Sequence, residues 1–178
     1  MNAHVPALET VETSLFAEAS KAVNAWRGRS MASFAAVEAQ VTNTLVALAA
    51  ADQSVTLPHL VGQRCAALSL ALSRAGEKAT DAADALACWQ SHDSLRVFLC
   101  HGVAKVTVAR DGTWQAVFEV AALRSRKLQR SFLIVDEAEA ELIGRRLHRD
   151  RQRLEARLKQ LGPVSEPGAA GLRIGTMP

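Results

Sequence analysis

Apolar residues recur along the first fifty positions at steps of three and four. Leu8, Val11, Leu15, Ala19, Ala22 and Trp26 share one stripe, which predicts a helix from Pro6 to Arg27. A second stripe, Phe34, Val37, Val41, Leu45 and Leu48, continues to about Ala51. Between them, Trp26-Arg27-Gly28-Arg29-Ser30 offers a break, with Ser30 or Ser33 as the cap of a second helix. The alternative is one long helix that tolerates Gly28 at a cost of about 1 kcal/mol. Asp52–Leu57 reads as a connection. Pro58 suits a first helical turn, and Leu60, Val61, Cys65, Leu68 and Leu72 carry that helix to about Arg74, with Gly76 as its stop. Thr80 opens a further helix with Asp81 and Asp84 near its positive end. Its inward residues are Leu86, Trp89, Leu95, Phe98 and Leu99, and a kink is expected near His92-Asp93-Ser94.

After Gly102 the period falls from the helical value to that of a strand. Val103, Val106 and Val108 lead into Arg110-Asp111-Gly112-Thr113, and Trp114, Val117, Phe118 and Val120 follow. Asp-Gly between β-branched runs is a strong hairpin signal. A third extended piece, Gln129–Val135, is placed to pair with it. Asp136 with Glu139 forms a capping box for a last helix from Glu137 to about Leu161, facing inward with Leu142, Leu147, Leu154, Leu158 and Leu161. The expectation is a mainly α fold: a helical bundle with a β-hairpin at 103–120, or a small sheet, inserted before the C-terminal helix. Residues 1–161 form the single domain, its first five residues frayed. Residues 162–178, with four Gly and three Pro, form a flexible tail.

Composition agrees with helices: hydrophobic content is 49%, yet aromatics are only 4% and Tyr is absent. Three Cys without a Cys-x-x-Cys spacing imply reduced thiols in a cytoplasmic protein. No signal peptide is expected. The most apolar run, Leu45–Ala51, is too short to span a bilayer, so no membrane is expected. Charge is uneven. Residues 1–123 hold nine Lys/Arg against eleven Asp/Glu, whereas residues 124–161 hold eleven against six. A basic C-terminal third either meets phosphates or forms a solvated helix face laced with ion pairs.

The junction of the two periods carries the candidate chemistry. Leu95-Arg96-Val97-Phe98-Leu99-Cys100-His101-Gly102 contains Arg-x4-His-Gly. Histidine exchanges protons near neutral pH, and the arginine fork holds phosphoryl oxygens. With its place at a helix end, the motif resembles the HEPN family, small up-and-down helical bundles marked by Arg-x4-His. The order of helices, motif, β-excursion and terminal helix is similar over roughly residues 10–160. The resemblance implies a metal-independent endoribonuclease of a toxin–antitoxin or antiviral defence system, with no cofactor and a homodimer whose two motifs line one cleft. It implies that His101 takes the proton from the 2′-OH while Arg96 steadies the phosphate, and that a cognate antitoxin or other defence protein is a partner. Val97 departs from the polar residue common after the Arg in active members. That departure keeps a second expectation open, a catalytically silent module that binds RNA or a protein. Lys105, Arg124, Arg126, Lys127 and Arg130 are the expected RNA-binding residues.

Each candidate has a plainer reading. Arg96 can be a surface residue paired with Asp93 or Glu77, and His101 a helix-terminal histidine favoured by the dipole. Cys88, His92, Cys100 and His101 match no zinc spacing, so no metal is expected. Asp111 with Glu119 belongs to a turn and Asp136 with Glu139 to a cap, which sets aside a two-carboxylate enzyme. Trp114 is read as core or interface rather than a base-stacking platform. No phosphate-binding Gly loop, Gly-x-Ser-x-Gly or His-Glu-x-x-His is present.

Overall fold

A computed structural model describes residues 7–161. The expectations for the first five residues and for the tail from Gly162 lie outside that range. The chain is mainly helical, with a small three-stranded antiparallel sheet before the last helix.

The first helix, α1, runs unbroken from Ala7 to Ala51, about 68 Å at 1.5 Å per residue. The break at residues 26–30 is therefore absent, and the single-helix alternative holds. Gly28 meets no other atom within 4 Å, so its cost is entropic and the flanking helix outweighs it. Neither serine caps anything. Ser30 is buried within the helix, and the Ser33 hydroxyl donates to the Arg29 carbonyl at 3.2 Å. The two stripes join into one: Val23, Trp26, Phe34, Val37, Val41 and Leu45 are all at most 5% exposed. The stretch Ser14–Ala51 is long and apolar enough to cross a membrane by composition. The shorter Leu45–Ala51 run understated this, because alanines link the apolar positions.

The next helix, α2, spans Val61–Arg74 and begins after Pro58, not with it. The Pro58 carbonyl instead accepts the Arg64 Nε at 3.0 Å. Leu60, expected inward, is 64% exposed. A 3-10 turn, Gly76–Ala79, leads to α3, Thr80–Gln90. The expected kink is a full interruption: α3 ends at Gln90, and α4 occupies Asp93–His101. Phe34 of α1 packs on Trp89 of α3 with ring centroids 5.2 Å apart.

The sheet is a meander of β1 (Val103–Val108), β2 (Trp114–Arg124) and β3 (Lys127–Asp136). The hairpin at 103–120 thus grows into three strands. At the first turn Gly112 has φ 87°, the left-handed region that glycine adopts freely. Asp111 Oδ1 there accepts the Thr113 amide at 3.0 Å and its hydroxyl at 2.7 Å. Trp114, Ala116, Phe118 and Val135 face inward and are buried against the helices. Trp26 and Phe118 pack with ring centroids 5.9 Å apart and planes tilted by 58°, which fixes the sheet on α1. The last helix, α5 (Glu137–Lys159), carries the predicted capping box: Asp136 accepts the Glu139 amide at 2.8 Å, and Glu139 accepts the Asp136 amide at 3.2 Å. Leu147, Leu154 and Leu158 are buried. Leu142, expected inward, is 49% exposed, one position off the stripe that starts at Ala140 and Ile143.

Candidate functional site

The α4–β1 junction is held by sterics and by one arginine. The Gly102 amide donates to the Phe98 carbonyl at 2.8 Å and closes α4. A Cβ on Gly102 would collide with the Phe98 carbonyl oxygen and stand 3.1 Å from the Phe118 Cβ. Arg27 of α1 reaches the same end. Its Nε donates to the Leu99 carbonyl at 2.6 Å and its Nη2 to the Cys100 carbonyl at 3.3 Å, while the guanidinium lies over the Phe118 ring. It thereby satisfies carbonyls that the helix end leaves open. Arg27→Ala is expected to cost about 2 kcal/mol, the range for hydrogen bonds to a charged group. Urea denaturation checks this, and Arg27→Lys should recover only part of it, because a single ammonium cannot fork to both carbonyls.

Arg96 faces the helices. Its Nη2 meets Glu38 Oε1 of α1 at 2.6 Å, and its Nε is buried with no partner among the described residues. The expected partners Asp93 and Glu77 are not the ones it takes. It lines a cleft of about 220 Å³ with Phe34, Glu38, Cys65, Trp89, Asp93 and Val97. Burial raises the Cys65 pKa there, and the Asp93 and Glu38 charges raise it further against the opposing effect of Arg96. Burial and the two carboxylates thus disfavour the thiolate. With two carboxylates to one guanidinium, the cleft does not favour a phosphate.

His101 lies elsewhere. Positions five apart on a helix are about 140° apart, and His101 is exposed at the last turn of α4, outside the Arg96 cleft. Within one chain the two motif residues do not converge. Val97 is 45% exposed, whereas Leu99, expected inward, is fully buried.

The expected phosphate-binding residues gather more closely. β1 first pairs at Val103 with Glu119, and β2 and β3 continue without it for five more positions, to Arg124 opposite Lys127. This two-stranded arm extends about 17 Å at 3.4 Å per residue. Its turn, Ser125-Arg126, has φ 50° and 64°, the positive values a two-residue hairpin turn requires. Both positions hold residues that pay for them in strain. Arg126, Lys127 and Arg130 are exposed. At the arm's root, Arg130 Nη1 meets Glu119 at 2.6 Å and Lys105 stands 3.9 Å from the same carboxylate. Asp111 thus serves the turn, as the plainer reading has it, whereas Glu119 sits within β2 and serves a charge cluster instead. His101 precedes β1 by two residues, so it lies where the arm leaves the body.

His92 is a part-buried contact between the start of α4 and α5. Its Nε2 lies 2.9 Å from Asp150 Oδ2 of α5, with the ring edge-on to Trp89 at 5.6 Å. Arg149 Nε donates to the other Asp150 oxygen at 3.2 Å. Burial alone would raise the Asp150 pKa, but the bonds from His92 and Arg149 outweigh it and hold the carboxyl below its ordinary value. No metal-binding cluster occurs among the described residues.

Arg27, Glu38 and Asp150 were missed by sequence reasoning. Asp150 had a signal: it sits three after Leu147 and four before Leu154, on the inward stripe of α5. Arg27 and Glu38 flank the buried Trp26 and Val37 but carry no pattern that names their partners. Comparison with known proteins gives no match to any family model, curated protein or solved structure.

Proposed function

We propose that the protein is an RNA-binding module of HEPN-like helical build that grips a phosphate backbone with the β2–β3 arm. The observation that carries this is the arm's tip. Arg124 stands directly opposite Lys127, with Arg126 in the turn between them and no acidic residue among them. Like charges opposite each other in a sheet are destabilising, and left-handed backbone at Ser125 and Arg126 adds strain. An anion spread along the tip offsets both. The tip from Leu123 to Leu128 holds no aromatic residue, and Trp114 is buried at 6% exposure, so recognition at the tip rests on phosphates rather than base stacking. RNA binding accords with a cytoplasmic location, and an antitoxin-like or defence partner would act by covering the arm.

Fluorescence anisotropy with a labelled single-stranded RNA tests the proposal. Arg124, Arg126, Lys127 and Arg130 amount to about four phosphate contacts, which gives a log–log salt slope near −3. The triple variant Arg124→Glu, Arg126→Glu, Lys127→Glu should weaken binding about 100-fold or more. Unchanged affinity would sink the reading.

A second reading is the metal-independent endoribonuclease acting through Arg96 and His101 in a homodimer. One observation favours it: His101 is solvent-exposed at the root of the arm, where a bound backbone would pass. Against it, Arg96 is engaged by Glu38. RNA recovered intact after incubation supports the module. Cleavage that His101→Ala abolishes and a chelator leaves untouched would move the conclusion to the nuclease.

A further inference from the structure

β3 is an open edge. Among the described residues the strand order β1-β2-β3 leaves its outer side without a neighbour, and α5, its successor in the chain, is the main helix that packs on it. Lys127 to Phe132 are exposed at every position, on both faces, and Phe132 and Ile134 are each 56% exposed. A ten-residue edge with unpaired backbone groups is a template for another strand.

We infer that β3 pairs antiparallel with β3 of a second copy, about a two-fold axis through Leu133, joining two three-stranded sheets into one of six strands. Charge and shape along the strand select this partner. Directly opposed residues in an antiparallel pair share a face, so a two-fold register matches odd positions with odd and even with even. With Leu133 on the axis, Phe132 opposes Ile134 and Arg130 opposes Asp136. The first is an aromatic–β-branched pair and the second joins opposite charges, both favourable across strands. Asp136 is the only acidic residue of β3. Shifting the axis to Phe132 sets Arg130 against Ile134 and strands Asp136 opposite Leu128. Further shifts set Arg130 against Phe132, and then against its own copy.

The groups are free to pair in this way. Asp136 Oδ1 accepts the Glu139 amide, and its Oδ2 has no partner among the described residues. Arg130 gives one nitrogen to Glu119 at 2.6 Å, and a guanidinium has donors left over for a second carboxylate. The basic tips lie outside the paired segment and point away at opposite ends of the six-stranded sheet. Dimerisation through β3 therefore shares only Arg130 with the proposed RNA-binding set, and Phe132→Lys tests the dimer without touching that set.

Sedimentation velocity of the full chain tests the inference. A dimer is expected at micromolar concentration. Phe132→Lys and Arg130→Asp should each raise the dimer Kd at least about tenfold with an unchanged circular dichroism spectrum. Leu133→Cys should give an oxidised covalent dimer that the wild type, with its three native cysteines, does not. If that variant fails to fold, the Phe132→Cys, Ile134→Cys pair on the exposed face reads the same register. A chain that stays monomeric to about 100 µM overturns the inference. So does a dimer whose Kd Phe132→Lys leaves unchanged and which neither cysteine variant cross-links.

Discussion

Gly102→Ala is expected to destabilise the protein by about 3 kcal/mol, the upper range for forcing an atom into a packed site. The backbone at Gly102 is extended, with φ −72° and ψ 134°, so the glycine is not there for conformational freedom. It is there for space. A methyl group would meet the Phe98 carbonyl oxygen, which is the acceptor that closes α4, and would press on Phe118, which Trp26 and Arg27 hold in place. None of these neighbours is a flexible chain end, so relief requires moving helix against sheet. Gly28→Ala is the control. It lies in α1 with no atom within 4 Å of the added carbon, and alanine there should stabilise by about 0.5–1 kcal/mol. Urea denaturation of both variants separates the cases, and equal small effects would mean that the junction gives way more easily than its geometry implies. The consequence for function is direct: the glycine after His101 is accounted for by packing, so its presence adds nothing to the case for cleavage.

What could be read from the sequence was what depends on neighbours along the chain. The stripes, the Asp111-Gly112 turn and the Asp136–Glu139 box all rest on residues within four positions of one another. The turn and the box stand where expected, and so do the inward residues from Ala19 to Leu45 of α1, Leu86 and Trp89 of α3, and Leu147, Leu154 and Leu158 of α5. What could not be read was which distant side chain meets which. Arg96 was given Asp93, three residues away, or Glu77, 19 residues away, but it takes Glu38, 58 positions earlier. Helices pack face to face, so a charge at the edge of one stripe finds its counter-charge on another helix, and no local pattern encodes that choice. The same holds for Arg27, which acts on carbonyls 72 and 73 positions away. Of the two alternatives at Gly28, the unbroken helix holds for a different reason. One weak residue costs little in a helix whose buried face continues on both sides, from Val23 and Trp26 to Phe34 and Val37. The arm's cations were found by composition, but their opposition across the tip depends on strand register, which only the pairing of β2 with β3 supplies.

Asp150→Ala is expected to cost about 2–3 kcal/mol near neutral pH, and the cost should shrink in acid. The substitution removes two hydrogen bonds to a carboxylate that is 8% exposed at its side chain, and it leaves the His92 imidazole without its acceptor beside Trp89. The contact ties α5 to the corner between α3 and α4, so its loss loosens the helix that carries Leu147, Leu154 and Leu158. The pH dependence follows from the depressed carboxyl pKa. A group whose folded-state pKa lies below its unfolded value of about 3.9 contributes fully above that value. Its contribution falls away as pH drops through the folded-state pKa, because the folded chain must then take up the proton. Stability curves of wild type and Asp150→Ala should therefore run apart at neutral pH and converge below about pH 4. Asp150→Asn keeps the shape and can still accept from His92 Nε2, so it should fall between the two and show little change over the same range. A gap between wild type and Asp150→Ala that stays constant down to about pH 2 would mean that the aspartate acts by filling space rather than by its charge.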